Sequence, residues 1–345
     1  MTMPRTLSLL LLALVAATPA PAQAPPAAPP ATRISGYLFG DAYGVAGHHQ
    51  PGLQDQTGFW IRRAYLTFDH TIAPHWSSRL RFEVNSPGDF STDARLEPFV
   101  KDLYLQWQTG AHQLLIGISP SPIWARLEDF WGLRHIEKTP ADLYRLSSSR
   151  EFGLSWKASS TDGRFFAHAS VGNGAGEKSE TNKGKKVALA VGFAPSKALL
   201  LEAYADVEDR PENTDRQTWQ IFGGWQSARG RVGLQYVAQR QEMGLDPSRT
   251  ITVGSVFGVL NVGESSSLIA RVDRVFDPHP DADKIPYLVL FPHREFDLIL
   301  VGYERRLNPQ ISLAPNLEVV SYHAVPGQAD VGATVVGRVT LFYRF

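Results

Sequence analysis

Alternation of polar and apolar residues constrains this chain more than any other feature. In its last stretch, Gly332 to Phe345, Val335, Gly337, Val339, Leu341, Tyr343 and Phe345 fall on one parity. Val336, Arg338, Thr340, Phe342 and Arg344 fall on the other. Successive side chains of a strand point to opposite faces. This strand therefore has one oily face ending in aromatics and one face carrying Arg338, Thr340 and Arg344. A second layer would cover the oily face in a soluble β-sandwich. Lipid would cover it in a transmembrane barrel, whose strands run about ten residues and carry aromatic girdles. The rest of the chain has to decide.

Sixteen such segments follow one another, separated by turn residues. They are Ile34–Gly44, Gly58–Asp69, His75–Asn85, Phe99–Gln108, Gln113–Ser119, Arg150–Ala158, Arg164–Gly172 and Lys185–Ala194, then Ala198–Val207, Thr218–Ser227, Gly230–Gln241, Arg249–Asn261, Ser266–Asp277, Arg294–Arg306, Ile311–Tyr322 and Val331–Phe345. Connections after the even segments are short, as at Thr109-Gly110 and Asn308-Pro309. Those after the odd segments are generally longer: 45–57, 86–98, 120–149, 173–184, 208–217, 242–248, 278–293 and 323–330. A sandwich has no reason to sort its loops this way, whereas an outer-membrane barrel has short turns at one end and long loops at the other. The expected fold class is all-β: a transmembrane antiparallel β-barrel of about 16 strands, with long extracellular loops and an in-folded loop after strand five. Fourteen or eighteen strands fit the same pattern.

The chain has no cysteine, which excludes a disulfide framework and a thiolate metal site. Its formal net charge of zero points to no nucleic-acid partner. Arg5 precedes an apolar run, Leu7 to Ala17, and small residues follow, so 1–22 is expected to be a secretory signal peptide. That run is too short for a membrane span, which needs about 20 residues. A Pro/Ala-rich lead-in, 23–33, then precedes a barrel over 34–345. No later stretch approaches a membrane-spanning helix, and a closed barrel is the other structure that satisfies every backbone group in lipid.

Charge placement follows from the alternation. Leu80, Phe82 and Val84 oppose Arg79, Arg81 and Glu83; Phe152, Leu154 and Trp156 oppose Glu151, Ser155 and Lys157. Leu199, Leu201, Ala203, Ala205 and Val207 oppose Glu202, Tyr204 and Asp206, and Phe296, Leu298 and Leu300 oppose Glu295 and Asp297. An Arg or Lys on the lipid face near the midplane costs about 2–4 kcal/mol, so the charged parity is expected to face the lumen. Arg62-Arg63 breaks the pattern: one of two neighbours must face out, and Arg62 is expected to snorkel from the strand end. A barrel this wide is not filled by strand side chains, and polar inner faces imply an aqueous lumen. Pore-lining candidates are Arg63, Arg79, Arg81, Glu83, Arg231, Arg271 and Arg338, with Asp102, Glu151, Glu202, Asp273, Glu295 and Asp297 as further acids.

The longest connection, Pro120 to Ser149, is too apolar for a disordered loop: it holds Trp124, Leu127, Phe130, Trp131, Leu133, Ile136 and Leu143. It is expected to fold into the barrel and narrow it, with Arg126, Glu128, Asp129, Arg134, Glu137, Lys138 and Arg145 facing the pathway. An external lid or a trimer contact is the alternative. Opposed charges in a low-dielectric throat focus the field on a passing solute. The early arginines point to anion preference, and a salt-bridged wall without preference is the competing reading.

Gly58–Asn85, GFWIRRAYLTFDHTIAPHWSSRLRFEVN, resembles the phosphate-selective porin O and P family, as do FVKDLYLQW (Phe99–Trp107) and QLLIGISPSPI (Gln113–Ile123). The resemblance covers 34–157. It implies a Gram-negative outer-membrane barrel, homotrimeric, set in lipid and lipopolysaccharide, that passes anions or small hydrophilic solutes. It also implies an arginine ladder, onto which Arg63, Arg79 and Arg81 map, with Lys183, Lys185 and Lys186 near a mouth. The long loop departs from the family in lacking a dense lysine cluster, since Glu128, Asp129 and Glu137 intervene. Phosphate and other oxyanions therefore both stay open. The terminal Phe345 is expected to be read by the barrel-assembly machinery.

Other motifs carry less. His48-His49 reads as a solvated pair, and Asp277–Asp283, DPHPDAD, as an acidic loop without the glycine and ligand spacing of a calcium site. No cofactor or metal is expected. Ser321 and His323 share a strand face, which leaves a barrel enzyme hydrolysing lipids or esters as one alternative, although no third partner stands out. A barrel adhesin with a plugged lumen is another.

Overall fold

The computed structural model describes residues 31–345. The expected signal peptide, 1–22, lies outside the described residues, as does the lead-in up to residue 30. Sixteen strands form one closed antiparallel barrel. They are β1 (Ala31–Gly47), β2 (Thr57–Ala73), β3 (Trp76–Val84), β4 (Phe99–Thr109), β5 (His112–Pro120), β6 (Arg150–Ser159), β7 (Phe165–Gly172) and β8 (Lys186–Ser196), then β9 (Leu199–Glu208), β10 (Arg216–Ser227), β11 (Gly230–Met243), β12 (Asp246–Gly263), β13 (Ser266–Val275), β14 (Phe296–Arg306), β15 (Ile311–Tyr322) and β16 (Thr334–Arg344). Each pairs with the next, and β16 closes on β1 from Tyr37↔Arg344 to Gly44↔Gly337. Closure removes the unpaired edge that an open sheet would present to lipid. Two short helices, α1 (Ala125–Trp131) and α2 (Pro140–Leu143), lie in the connection between β5 and β6. Among the described residues no helix is long and apolar enough to cross a membrane.

The outer surface is apolar round the barrel: Ile116, Leu154, Leu189, Leu201, Ile221, Leu234, Val256, Val272, Val301 and Val339 are all exposed. Trp76, Phe165 and Trp225 stand near the short turns, and Phe59, Phe99 and Phe276 near the long loops. This is a lipid-facing belt between two aromatic girdles. The charged parity of β3, β6 and β9 faces inward as the alternation implies; Glu151, Ser155, Glu202, Tyr204 and Asp206 are buried.

Four expectations need correction. First, both Arg62 and Arg63 face inward. Arg63 pairs with Phe39 and Ile61 with Gly40, so Arg62 is the extra residue of a β-bulge. Lys101 is a second bulge, because Asp102 pairs with Arg81 and Val100 with Phe82. Second, the parity of β14 is reversed. Phe296, Leu298 and Leu300 are 0% exposed, while Ile299 and Val301 are 46% exposed. Glu295 and Asp297 thus belong to the outer parity, at the loop end, where Arg274 meets Glu295 at 2.6 Å and Asp297 at 3.4 Å. Third, no long loop spans 242–248: Met243 pairs with Asp246 across Gly244-Leu245.

The fourth correction concerns the interior, which is not polar all round. Ile251, Val253, Ile269, Leu298, Leu300, Val320 and Val336 form a buried apolar wall across β12–β16. Two connections fold inward and cover it. One is 120–149; the other is 278–293, which buries Ile285, Tyr287, Leu288 and Leu290. The acidic start of the second is only its rim. His48 is accordingly buried rather than solvated, and its Nε2 lies 3.1 Å from the Leu288 carbonyl.

Candidate constriction site

The loop after β5 has two faces, and its sequence explains both. In α1, Leu127, Phe130 and Trp131 are buried, while Arg126 and Asp129, three apart on one helical face, are exposed. Gly132 ends the helix in the left-handed conformation at φ 66°, and its N–H donates to the Glu128 carbonyl at 2.8 Å. The apolar face packs on the barrel wall. Phe130 lies 5.3 Å from Phe222 and Trp131 4.8 Å from Phe257, both edge-on. The Phe130 ring sits so close to Gly224 that a Cβ there would lie 2.5 Å from it.

Wall side chains then hold the loop's backbone. Arg62 Nη1 donates to the Ile136 carbonyl at 2.7 Å, Arg231 Nη2 to the Trp131 carbonyl at 2.7 Å and Arg271 Nη1 to the Lys138 carbonyl at 2.5 Å. Trp131 Nε1 donates to the Glu137 carbonyl at 2.7 Å, and the Tyr144 hydroxyl donates to Asp273 at 2.8 Å. A buried ionic cluster completes the anchor. Arg62 meets Glu137 at 2.7 Å, Arg338 meets Glu318 at 2.7 Å, and Asp41 lies between the two arginines at 3.7 and 3.8 Å. Arg338 also donates to the Tyr287 carbonyl at 2.9 Å, which ties the second inward loop to the same cluster.

The loop's charged face looks the other way, toward β1–β6. Arg134 stacks over Trp124 and reaches Glu128 at 3.2 Å and Asp142 at 2.8 Å. Across from it Arg63 meets Glu83 at 3.0 Å, Lys101 meets Glu83 at 3.3 Å, Arg81 meets Asp102 at 3.3 Å and Arg79 meets Asp69 at 2.6 Å. Arg150 also bonds Asp102. Lys138 borders a small void shared with Phe39, Arg63 and Arg134, and no carboxylate lies within ion-pair distance of it among the described residues. Burial pushes its ammonium down to about 8, with Arg63 and Arg134 adding to that effect and Asp142 and Glu137 opposing it. Burial alone would raise the Glu137 carboxyl, but Arg62, Arg338 and Lys138 outweigh it and hold that group below the usual carboxylate range.

The candidates therefore divide. Arg63, Arg79, Arg81 and Glu83 stand in one interior column with Arg134, Glu128 and Lys138 opposite. Arg231, Arg271 and Arg338 hold the two inward loops from beneath, and Glu137 belongs to the anchor. Arg126 and Asp129 face a separate cavity near the short turns. Arg145 is exposed and reaches toward the Lys284 carbonyl at 3.5 Å. Lys185 and Lys186 are paired, with Glu180 at 2.5 Å and Asp206 at 2.9 Å. Sequence reasoning missed Arg62, Lys101, Asp142 and Tyr287 as members of the site. The signal for the first two was there: two successive charges in an alternating strand demand two inward places, which only a bulge supplies. His323 does find an acid, Asp297 at 2.8 Å, but no hydrogen bond joins its ring to Ser321 among the described residues.

A closed sixteen-stranded barrel narrowed from within by the loop after its fifth strand has the architecture of bacterial outer-membrane porins. No family model and no curated protein matches the sequence. Solved structures do match the fold. An anion-selective porin from Comamonas acidovorans is similar at TM-score 0.69 and 12% identity, covering 92% of this chain and all of that one. The outer-membrane channel DcaP of Acinetobacter baumannii is similar at TM-score 0.63 and 12% identity, covering 92% and 97%. The trimer form of OmpT, an outer membrane protein of Vibrio cholerae, is similar at TM-score 0.62 and 12% identity, covering 92% and 99%.

Proposed function

We propose that the chain is a porin of a bacterial outer membrane, a water-filled channel for passive diffusion of small hydrophilic solutes and ions. The observation that supports it best is the charged interior strip between the loop face at Arg134 and Lys138 and the ladder of Arg63, Arg79 and Arg81, inside a barrel whose outside is apolar. A solute there exchanges hydration for fixed charges held weakly enough to release it. The ladder's arginines each face a carboxylate, so they act as oriented dipoles more than as free cations. Lys138 supplies the unbalanced positive charge. The reading is thus a general porin with modest anion preference, to which phosphate is one oxyanion among others. The similar Comamonas porin is described as anion-selective and the Vibrio protein as a trimer, which fits anion passage and a homotrimer set in lipid and lipopolysaccharide. Single-channel conductance of the refolded protein in a planar bilayer tests it, with the reversal potential read across a KCl gradient. Stable steps with a small anion-directed potential are expected; a folded barrel without conductance would overturn the reading in favour of an enzyme or adhesin.

A further inference from the structure

Every carboxylate of the interior strip described above faces a cation, but one interior cavity breaks that rule. It lies near the short turns, between α1 and strands β5–β9, with a volume of about 320 Å³. Arg126 and Asp129 enter it from the exposed face of α1, Lys157 from β6 and Glu202 from β9. Among the described residues none of these four has an oppositely charged side chain within ion-pair distance. Glu202 is only 5% exposed, and its Oε1 is buried with no hydrogen-bond partner. Arg126 instead sits over Phe166, its Cζ 3.5 Å from the ring centroid. His168 closes the wall, with its Nε2 held 2.7 Å from Ser155 Oγ.

Burying a polar side chain without a partner is costly, and two acidic and two basic side chains face one volume here without meeting. A ligand that carries both signs would satisfy them together. We infer that this cavity is a subsite for a small zwitterion, an amino acid or short peptide, whose ammonium meets Glu202 and Asp129 and whose carboxylate meets Arg126 and Lys157. The volume suits a molecule of that size and excludes an oligosaccharide. A simple anion or a simple amine would satisfy half the site and leave the other half uncompensated. The inference rests on the channel reading only for how the solute arrives.

L-glutamine is the probe, with acetate and ethylammonium as single-charge controls, titrated calorimetrically into the refolded barrel in detergent. Glutamine is expected to bind at least tenfold tighter than either control. E202Q and R126Q should each weaken it by about tenfold or more, the worth of one charge-assisted hydrogen bond. Both variants should fold, since neither side chain has a hydrogen-bonding partner to lose. Glutamine binding no tighter than acetate, or unchanged in both variants, would overturn the inference. Conductance without glutamine binding removes the subsite and leaves the channel; binding without conductance supports the subsite and removes the channel.

Discussion

Arg62 is the residue on which the interior turns. Its guanidinium holds the Ile136 carbonyl and the Glu137 carboxylate at once, from a position that exists only because β2 bulges there. Breaking one side of a buried ion pair costs about 3–5 kcal/mol, because the other charge stays buried. Arg62→Gln should therefore release the loop, giving larger and noisier single-channel currents and a lower thermal midpoint. Arg79→Gln should cost less than about 1 kcal/mol and lower that midpoint far less, since its partner Asp69 is partly open to water. Equal midpoints for the two variants would refute the anchoring role. Lys138 makes a pH prediction. Its ammonium is charged below about 8 and neutral above. Anion preference should then fall as pH rises from 7 to 9, and Lys138→Met should flatten the reversal potential across that range. Its linkage to stability has a definite sign. A lysine whose folded pKa lies below its unfolded value opposes folding most fully at low pH, and that opposition fades as pH rises through 8 toward the unfolded value.

At the scale of elements, the loop after β5 behaves as a small amphipathic layer laid on the barrel wall. Trp131 is its centre: buried, edge-on to Phe257, with its indole N–H on the Glu137 carbonyl. Trp131→Ala should cost about 3–5 kcal/mol. The loss should appear first as protease cleavage within 120–149, before the barrel itself unfolds. Cleavage no faster than in the parent would mean that the loop is held by its polar anchors alone. The same scale shows what could be read beforehand. β9 and β16 were legible because one parity is plainly polar and the other plainly apolar. β14 was not: Phe296, Leu298 and Leu300 alternate with Ile299 and Val301, so both faces are oily and only the covering loops decide which is inside. Adjacent charges at Arg62-Arg63 and Lys101-Asp102 signal the two bulges, while the partner residues at which they fall come only from the neighbouring strands' register. The 278–293 connection was read by its acids, while the apolar run Ile285 to Leu290 is what folds inward. In the site, the Arg63, Arg79 and Arg81 column was legible from parity, but the pairing of each with an acid needed the neighbouring strands.

Across the whole molecule the interior is divided. Strands β1–β6 present mostly charge, strands β12–β16 present Ile251, Val253, Leu298 and Leu300 beside the anchoring ions Arg271, Glu318 and Arg338, and the two inward loops cover that side. The proposed pore would lie against one wall of the barrel, since water is excluded from the side where loop and wall share their apolar faces. The division also separates this barrel from one with a polar wall all round. In such a barrel, trimming the constricting loop would widen the channel at little cost. Here, replacing 122–148 by a short Gly/Ser linker should widen it and destabilise it together. Residues such as Phe257, Leu298 and Leu300 would then face water, at about 1.5–3 kcal/mol for each side chain fully uncovered. The expected outcome is higher single-channel conductance with a clearly lower temperature for loss of the folded barrel's compact gel mobility. Higher conductance at an unchanged temperature would show that the loop rests on the wall without stabilising it, and the divided interior would lose its energetic basis.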